Sequence, residues 1–357
     1  MTSPDTTAAP DPDRLLTLAV DVAREAAGLV ARGRASAAEH VDVKSSPVDV
    51  VTAVDRASEE LILSRLLAAR PDDGVLGEEG ADRAGSSGVR WVVDPIDGTV
   101  NFLYGLPAYA VSIAAEVDGE VRAGVVLNAA TGELFTATVG GGAHLTPPAG
   151  PEPVRLTGSS PVSLEQTLVA TGFGYRVEQR RAQGAVVAQL LTRVRDIRRY
   201  GSSALDLCSA AAGRIDAYYE LNLNPWDHAA GALIAAEAGL VVTGLGGRPF
   251  AEPMAVVAAP SIGSTTHRTP LVPSRAAPSS PSRPSSGRAA SSRATTSSSL
   301  ARSTAVTTST GLDFTSTCSA AVARPRATSS AAALAVSTAR ASRAFGSGLA
   351  VAALVTR

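Results

Sequence analysis

The chain has 357 residues, of which 45% are hydrophobic, so it is long enough for one large domain or two medium ones with a buried core. Its net charge of -1 at pH 7 gives no overall attraction to nucleic acid or to acidic membranes. Cys208 and Cys318 make no disulfide framework, which fits a reducing compartment. No apolar run approaches the roughly 20 residues of a membrane helix. Residues 1–13 lack the pattern of a signal peptide, so we expect a cytoplasmic protein.

The first hundred residues predict two helices and a buried strand. Apolar residues at 15–30 follow helical spacing, and an Asp-Pro pair just before them suits a helix start. A second helix is predicted at about 55–70, where a proline stops it. The short apolar run at 89–93 predicts a buried strand that ends at Asp94.

The chain up to about residue 260 continues as a mixture of strands and helices. Strands are predicted between turn signals at 110–117, 121–127, 134–138, 168–171, 215–220, 240–243 and 255–259. Helices are predicted at 185–194, from Ser202 or Ser203 to Gly213, and at 227–238, whereas 140–153 is predicted as a loop. There is no regular βαβ alternation. The fold class is therefore predicted as mixed α/β (α+β), with an antiparallel component.

The composition changes abruptly after residue 263. Residues 264–357 are dominated by Ser, Thr, Ala and Arg, with no Lys and with Asp313 as the single acid, so they are basic while residues 1–263 are acidic. Such a mixture buries too little large apolar surface to offset its ordering entropy, so we expect a disordered tail. A frame-shifted translation of GC-rich DNA is a sharper hypothesis for its origin. We therefore divide the chain into a domain at 1–263 and a tail at 264–357.

Four acidic segments, each beside an apolar strand or helix, carry the candidate chemistry. Their acids are, in chain order, Asp49 and Asp55, Glu78 and Glu79, Asp94 and Asp97, and finally Asp227. In the third segment two carboxylates can converge on one cation, and the N–H groups of Gly98 and Thr99 can bind an anion. Hard oxygen ligands select Mg²⁺, which commonly takes a substrate phosphate into its shell. For this segment alone, a tight Asp-Gly turn with solvated acids is the alternative.

Five motifs occur in a fixed order along the chain. They are Lys44-Ser-Ser-Pro-Val-Asp49-Val-Val-Thr52-Ala-Val-Asp55, Gly77-Glu78-Glu79, Trp91-Val-Val-Asp94-Pro-Ile-Asp97-Gly-Thr99-Val-Asn101-Phe102, Gly201-Ser-Ser-Ala-Leu-Asp206, and Ala217-Tyr-Tyr-Glu220 followed by Trp226-Asp227. Over about 15–262 the chain thereby resembles the inositol monophosphatase family, especially its bacterial inositol-1-monophosphatase members. The resemblance implies a layered α-β-α-β-α sandwich of the sugar-phosphatase type. It also implies hydrolysis of myo-inositol 1-phosphate to myo-inositol and phosphate, and inhibition by Li⁺. As partners we expect a second copy of the chain, in a homodimer.

The resemblance further implies roles for matched residues. Glu78, Asp94 and the carbonyl of Ile96 would hold one Mg²⁺, Asp94, Asp97 and Asp227 a second, and Glu78 would help to hold a weaker third. Asp49 and Thr99 are predicted to orient the attacking water, and Glu78 is grouped with them as catalytic. Substrate contacts are implied for Asp97, Gly98, Thr99, Gly201, Ser202, Ser203, Glu220 and Asp227. The family usually continues after residue 260 with an amphipathic helix, and residues 264–275 lack that pattern.

Other reaction types fit the residues less well. Cys208 and Arg214 have the spacing of a cysteine phosphatase, but helix formers separate them, so Cys208 is interpreted as core packing. Asp94 and Asp97 are one residue too far apart for a haloacid-dehalogenase phosphatase. The four histidines show no metal-ligand spacing. The arginines at 193–199 are interpreted as a solvated helix face, with a cleft wall or a dimer contact as the alternative.

Two classes of function remain open. Within the phosphatases, 3′-phosphoadenosine phosphates, fructose 1,6-bisphosphate and histidinol phosphate are alternative substrates, because the metal motifs are shared. The non-enzyme alternative is an inactive relative, or a weak nucleic-acid binder that uses its basic tail. Because that tail lacks Lys, we expect no specific recognition of nucleic acid. The expected partner is a small phosphate monoester.

Overall fold

The structure is a computed structural model of the chain, and it describes residues 10–35, 41–44, 50–150, 152–161, 163–244 and 255–260. The predicted domain boundary and tail lie outside these residues, as do Asp49 and the segment where the family's last helix was expected. In the part that is described, no helix is both long and apolar enough to cross a membrane.

Both N-terminal helices are confirmed. Helix α1 (Pro12–Gly33) begins where the Asp11 carboxylate accepts a hydrogen bond from the backbone N–H of Asp13 at 3.1 Å. Helix α2 (Ala53–Ala69) begins with a capping box, in which Thr52 and Asp55 satisfy each other's backbone N–H groups. The inward face of α1 repeats every three or four residues, through Leu15, Ala19, Val22, Ala26 and Val30.

Within the described residues, the larger of two main sheets has eight strands. They are β3 (Gly74–Gly77), β4 (Asp82–Arg83), β5 (Val89–Asp97), β6 (Ala110–Val117), β7 (Glu120–Asn128), β8 (Leu134–Thr138), β9 (Gly142–Thr146) and β10 (Val154–Arg155), in the order β10-β9-β8-β7-β6-β5-β3-β4. Among the described strands of this sheet, β3 and β5 pair in parallel and the other neighbours pair antiparallel. A separate antiparallel ribbon of β1 (Val41–Val43) and β2 (Val50–Thr52) precedes α2. The predicted meander is confirmed.

Two details of this sheet differ from the prediction. Strand β5 does not end at Asp94 but continues to Asp97, with an irregularity in its register against β6 between those two residues. The segment predicted as a loop at 140–153 contains β9, which pairs with β8 along its full length. Its Gly-rich composition concealed the strand, because glycine has no side chain to show a two-residue alternation.

The smaller sheet has five strands. They are β11 (Leu168–Thr171), β12 (Asp196–Arg198), β13 (Ala217–Leu221), β14 (Leu240–Thr243) and β15 (Ala255–Pro260), in the order β12-β11-β13-β15-β14. Four helices accompany the sheets, namely α3 (Thr99–Tyr104), α4 (Val177–Leu190), α5 (Ser203–Ala211) and α6 (Pro225–Glu237). The helix predicted at 185–194 was misplaced, since α4 begins eight residues earlier. Arg198, one of the arginines predicted to line a helix face, instead lies in β12 at the edge of this sheet.

The layers can be assigned from the buried clusters. Helices α1 and α2 cover one face of the large sheet, where they meet Trp91 and Ile113. Helices α5 and α6 lie between the two sheets, and Ile234 belongs to the cluster that joins them. Helix α4 packs on the outer face of the small sheet through Leu190 and Val169. The order is therefore α-β-α-β-α, which confirms the predicted sandwich.

Candidate active site

The end of β5 brings two carboxylates into the protein interior. Asp94 is 1% exposed and Asp97 is 8% exposed. The Asp94 carboxylate accepts a hydrogen bond from the N–H of Ile96 at 3.0 Å, so it folds over the turn that follows. The register irregularity between the two residues allows both side chains to leave β5 at the same end of the sheet.

The N-terminus of α5 holds Asp97. Its carboxylate accepts from the Ser202 hydroxyl at 2.5 Å, from the N–H of Ala204 at 2.8 Å and from the N–H of Ser203 at 3.3 Å. A carboxylate is favourable at this position because the first N–H groups of a helix lack partners in the helix itself. Burial nevertheless outweighs these bonds and raises the pKa of Asp97 to about 7.

Four acids from three of the acidic segments, Glu78, Asp94, Asp97 and Asp227, interact electrostatically here. Burial raises the pKa of Asp94 well above its usual range, and the charges of Glu78, Asp97 and Asp227 raise it further. Burial also raises the pKa of Asp227, again helped by Asp97 and Glu78. The predicted acids of the second, third and fourth segments are therefore close enough to share one electrostatic field.

The carboxylates are engaged inside the protein rather than arranged around an ion. Among the described residues, no group of three or more Asp, Glu, His or Cys side chains could hold a metal as it stands. The ammonium of Lys44 binds Glu78 at 2.8 Å and Glu79 at 2.6 Å. Burial acts to lower the pKa of Lys44, but these two acids outweigh it and raise that pKa. For Glu79, burial raises the pKa to about 7 despite Lys44.

A third buried carboxylate, Asp55, faces Thr99. Asp55 accepts from the Thr99 hydroxyl at 3.1 Å, and also from the N–H and hydroxyl of Thr52 at 2.9 and 2.5 Å. Asp49, which was predicted to pair with Thr99, lies outside the described residues, so the acid that the structure places at Thr99 is Asp55. The capping-box pattern of Thr52 and Asp55 was the available signal for a fixed carboxylate at this point.

Glycine forms the backbone between Asp97 and α3. Gly98 has a φ of 92°, in the left-handed region, and a Cβ there would lie 2.9 Å from the carbonyl oxygen of Ala108. Beside it, the Asn101 amide donates to the carbonyls of Ala108 and Tyr200, both at 2.7 Å. These bonds fasten α3 to the segment that leads into α5.

The residues predicted to face the substrate lie on α5 and β13. Ser202 donates to Asp97 and accepts from the N–H of Leu205, and the Ser203 hydroxyl meets Tyr218 at 2.8 Å. Both serine side chains are buried, so their hydroxyls are used within the protein. Glu220 is partly exposed and accepts from the Tyr218 hydroxyl at 2.7 Å. Sequence reasoning did not assign Tyr218 a role.

Two residues considered for other chemistries are buried. Cys208 is fully buried, and burial raises the pKa of its thiol well above the usual range. A thiol in this state is not a nucleophile at neutral pH, in line with its interpretation as core packing. Burial lowers the pKa of His228 to about 4, so its imidazole is neutral at pH 7.

Comparison with known proteins shows which family the chain is similar to. The sequence profile of the inositol monophosphatase family matches residues 11–276. An inositol-1-monophosphatase of Mycobacterium leprae is 48% identical over 256 residues, which cover 68% of the chain and 86% of that protein. The solved structure of Mycobacterium tuberculosis SuhB has a TM-score of 0.60 and 46% identity, covering 70% of the chain and 92% of that structure. The Nus factor SuhB of Escherichia coli K12 is 39% identical, covering 64% and 84% respectively.

The five-layered fold and these matches define the chain as a phosphatase. It belongs to the inositol monophosphatase family. The sequence-based expectation of this family is therefore confirmed.

Proposed function

We propose that the protein is a Mg²⁺-dependent phosphomonoesterase that hydrolyses myo-inositol 1-phosphate to myo-inositol and phosphate. The observation that carries the proposal is that Asp94 and Asp97 are both buried at the end of β5, where the Thr99 hydroxyl lies 3.2 Å from the carbonyl of Ile96. The charges of Glu78 and Asp97 add to burial in raising the pKa of both Asp94 and Asp227. Buried like charges are costly unless something neutralises them, and a divalent cation does so. The substrate is proposed from the matched relative that is named an inositol-1-monophosphatase.

The donor chemistry of the site fits Mg²⁺. Every side chain in the acidic group offers carboxylate oxygen, and the carbonyl of Ile96 adds another hard oxygen donor. We assign two ions, with a weaker third, to Glu78, Asp94, Ile96, Asp97 and Asp227. Bound Mg²⁺ would supply an activated water and neutralise charge on the reacting phosphate. Because Lys44 binds Glu78 at 2.8 Å, ion binding would compete with that pair.

The residues around Thr99 are proposed to orient the attacking water. Asp55 is fully buried and lies 3.1 Å from the Thr99 hydroxyl, which is also 3.2 Å from the carbonyl of Ile96. Because a hydrogen bond to an ionised carboxylate is the stronger of the two, we expect the hydroxyl to donate to Asp55 before substrate arrives. Once Thr99 donates to Asp55, its lone pairs can accept a hydrogen bond from water. We therefore assign the orienting role to the Asp55–Thr99 pair.

Other groups are proposed to bind the substrate. The N–H groups of Gly98 and Thr99 stand at the start of α3 and suit the phosphate. Gly201 and Glu220 are proposed to face the cyclitol hydroxyls. Ser202 and Ser203 are proposed to support this face through the bonds that they make to Asp97 and Tyr218.

Phosphate release with and without metal tests the proposal. The full-length protein is incubated with myo-inositol 1-phosphate, 3′-phosphoadenosine 5′-phosphate, fructose 1,6-bisphosphate and histidinol phosphate, each in excess Mg²⁺ and in excess EDTA. We expect the highest kcat/KM on myo-inositol 1-phosphate and no turnover in EDTA. Full turnover in EDTA would refute the metal mechanism. A higher kcat/KM on one of the other esters would make that ester the substrate instead of myo-inositol 1-phosphate. We also propose that the protein is cytoplasmic and forms a homodimer. The molar mass from light scattering tests whether it is a dimer.

A further inference from the structure

Tyr218 occupies a position between two parts of the proposed substrate face. It lies on β13, its side chain is fully buried, and it belongs to the cluster that joins the small sheet to α5 and α6. Its hydroxyl is 2.8 Å from the Ser203 hydroxyl and 2.7 Å from a carboxylate oxygen of Glu220. A buried phenol needs hydrogen-bond partners, and here both partners belong to the proposed site.

The direction of these hydrogen bonds follows from proton counting. An ionised carboxylate only accepts, so the single phenol hydrogen of Tyr218 goes to Glu220. Ser203 must then donate its own hydroxyl hydrogen to Tyr218. Because the N–H of Ser203 also donates to Asp97 at 3.3 Å, one connected path joins Asp97 to Glu220.

Glycine confines Glu220 from the opposite side. Strand β11 runs parallel to β13, and Gly172 directly follows β11. A Cβ added at Gly172 would lie 1.9 Å from one Glu220 carboxylate oxygen and 2.1 Å from the other. Only glycine fits at position 172 while the Glu220 carboxylate keeps its position. The carboxylate is therefore held by a hydrogen bond on one side and by close backbone contact on the other.

We propose that Tyr218 is a positioning residue that, with Gly172, fixes Glu220 to accept hydrogen bonds from the hydroxyls of a polyol phosphate. The inference rests on the proposed function and adds the means by which the protein selects polyhydroxylated esters. A fixed acceptor favours a substrate that brings donors to it, because the acceptor then loses little freedom on binding. An ester without hydroxyl groups gains nothing from that acceptor.

The test compares two substrates in full-length wild-type protein and in Tyr218→Phe. Phenylalanine keeps the buried ring and removes only the hydroxyl. We expect KM for myo-inositol 1-phosphate to rise about tenfold with a small change in kcat, as for loss of a hydrogen bond to a charged group. For phenyl phosphate, which has no hydroxyl groups, kcat/KM should stay within about twofold of wild type.

A second variant approaches Glu220 from the other side. Gly172→Ala should displace the carboxylate and give the same selective loss on myo-inositol 1-phosphate. Each variant has a matched control. Tyr219→Phe removes the same hydroxyl on the opposite face of β13, and Gly184→Ala adds a methyl group to α4 where no atom lies within 4 Å. Neither control should change the ratio of the kcat/KM values for the two substrates.

The outcomes separate the two proposals. Wild-type protein that hydrolyses neither ester would overturn the proposed function and the positioning role with it. If wild-type protein hydrolyses both esters and the two variants leave their ratio unchanged, only the positioning role is overturned. An equal loss on both substrates in Tyr218→Phe and Gly172→Ala would also overturn it, since that pattern reports general damage to the fold.

Discussion

At the scale of single residues, Asp94 should affect activity and stability in opposite directions. Asp94→Asn removes a carboxylate assigned to both ions, so kcat/KM in Mg²⁺ should fall by roughly a thousandfold. The same change removes repulsion from Glu78, Asp97 and Asp227, while the amide oxygen can still accept from Ile96. The melting temperature in EDTA should therefore rise. Phosphate release and thermal unfolding measure the two effects.

The control for this variant is Asp82→Asn, which removes an exposed acid from β4. It should change neither the rate nor the melting temperature. A wild-type rate in Asp94→Asn would contradict the assignment of that carboxylate to the metal ions.

Thr99 provides a second prediction at this scale, for the water-orienting pair. Thr99→Val keeps the shape of the side chain and removes the hydroxyl that Asp55 holds, so kcat should fall about a hundredfold while KM changes little. Thr99→Ser retains the hydroxyl and should keep most of the activity. Initial rates over a range of substrate concentrations separate kcat from KM. Equal rates in the valine and serine variants would exclude a role for the hydroxyl.

The sequence identified the acidic segments, and its pairing of Asp49 with Thr99 stays a prediction because Asp49 lies outside the described residues, whereas the structure shows Asp55 at Thr99. Asp49 and Asp55 lie six residues apart in one motif, and their spacing does not show which carboxylate turns inward. That depends on the start of α2, where Thr52 and the N-terminal N–H groups hold Asp55. Tyr218 was missed for a similar reason. Glu220 lies two residues further along the same strand, but Ser203 reaches the Tyr218 hydroxyl only after α5 has packed on β13.

At the scale of elements, the loop after β3 and the end of β5 should make stability depend on pH. Burial raises the pKa of Asp97 and of Glu79 to about 7 each, whereas carboxyls in an unfolded chain titrate near about 4. Between these values the folded chain binds more protons than the unfolded chain, so stability falls as pH rises. In EDTA the melting temperature should be lower at about pH 8 than at about pH 5.5.

Two comparisons make this prediction specific. Glu79→Gln removes one of the titrating groups and should therefore reduce the fall in melting temperature with rising pH. Excess Mg²⁺ should reduce it further, since bound carboxylates are already ionised. A melting temperature in EDTA that increases with pH over this range would contradict the prediction.

Elements with strong periodicity were predicted well, and exposed or Gly-rich ones were not. Helix α1 buries a continuous apolar stripe, and the meander of β6 to β8 is marked by clear turns. In α4 only Gln183 and Leu190 are buried, so its sequence carries almost no stripe to place its start. Strand β12 is three residues long and lies at a sheet edge, where partner strands rather than side chains define it.

At the scale of the whole molecule, the strand order determines where the chain can be shortened. Strand β15 lies between β13 and β14 and pairs with both. It therefore carries the hydrogen bonds that link β14 to the rest of the small sheet, including the strand of Tyr218 and Glu220. A chain that ends after residue 244 loses β15 and leaves β13 with an unpaired edge. A chain that ends after residue 263 keeps every assigned site residue and all fifteen strands described in the structure.

We therefore predict that residues 1–263 retain the kcat/KM and the Mg²⁺ dependence of the full-length protein, whereas residues 1–244 fail to fold. Circular dichroism and phosphate release on the three purified proteins measure this. Reduced activity of 1–263 with unchanged folding would show that residues beyond 263 contribute to the site. Reduced stability with unchanged kcat would show instead that they support the small sheet, in the place where relatives were expected to have a closing helix.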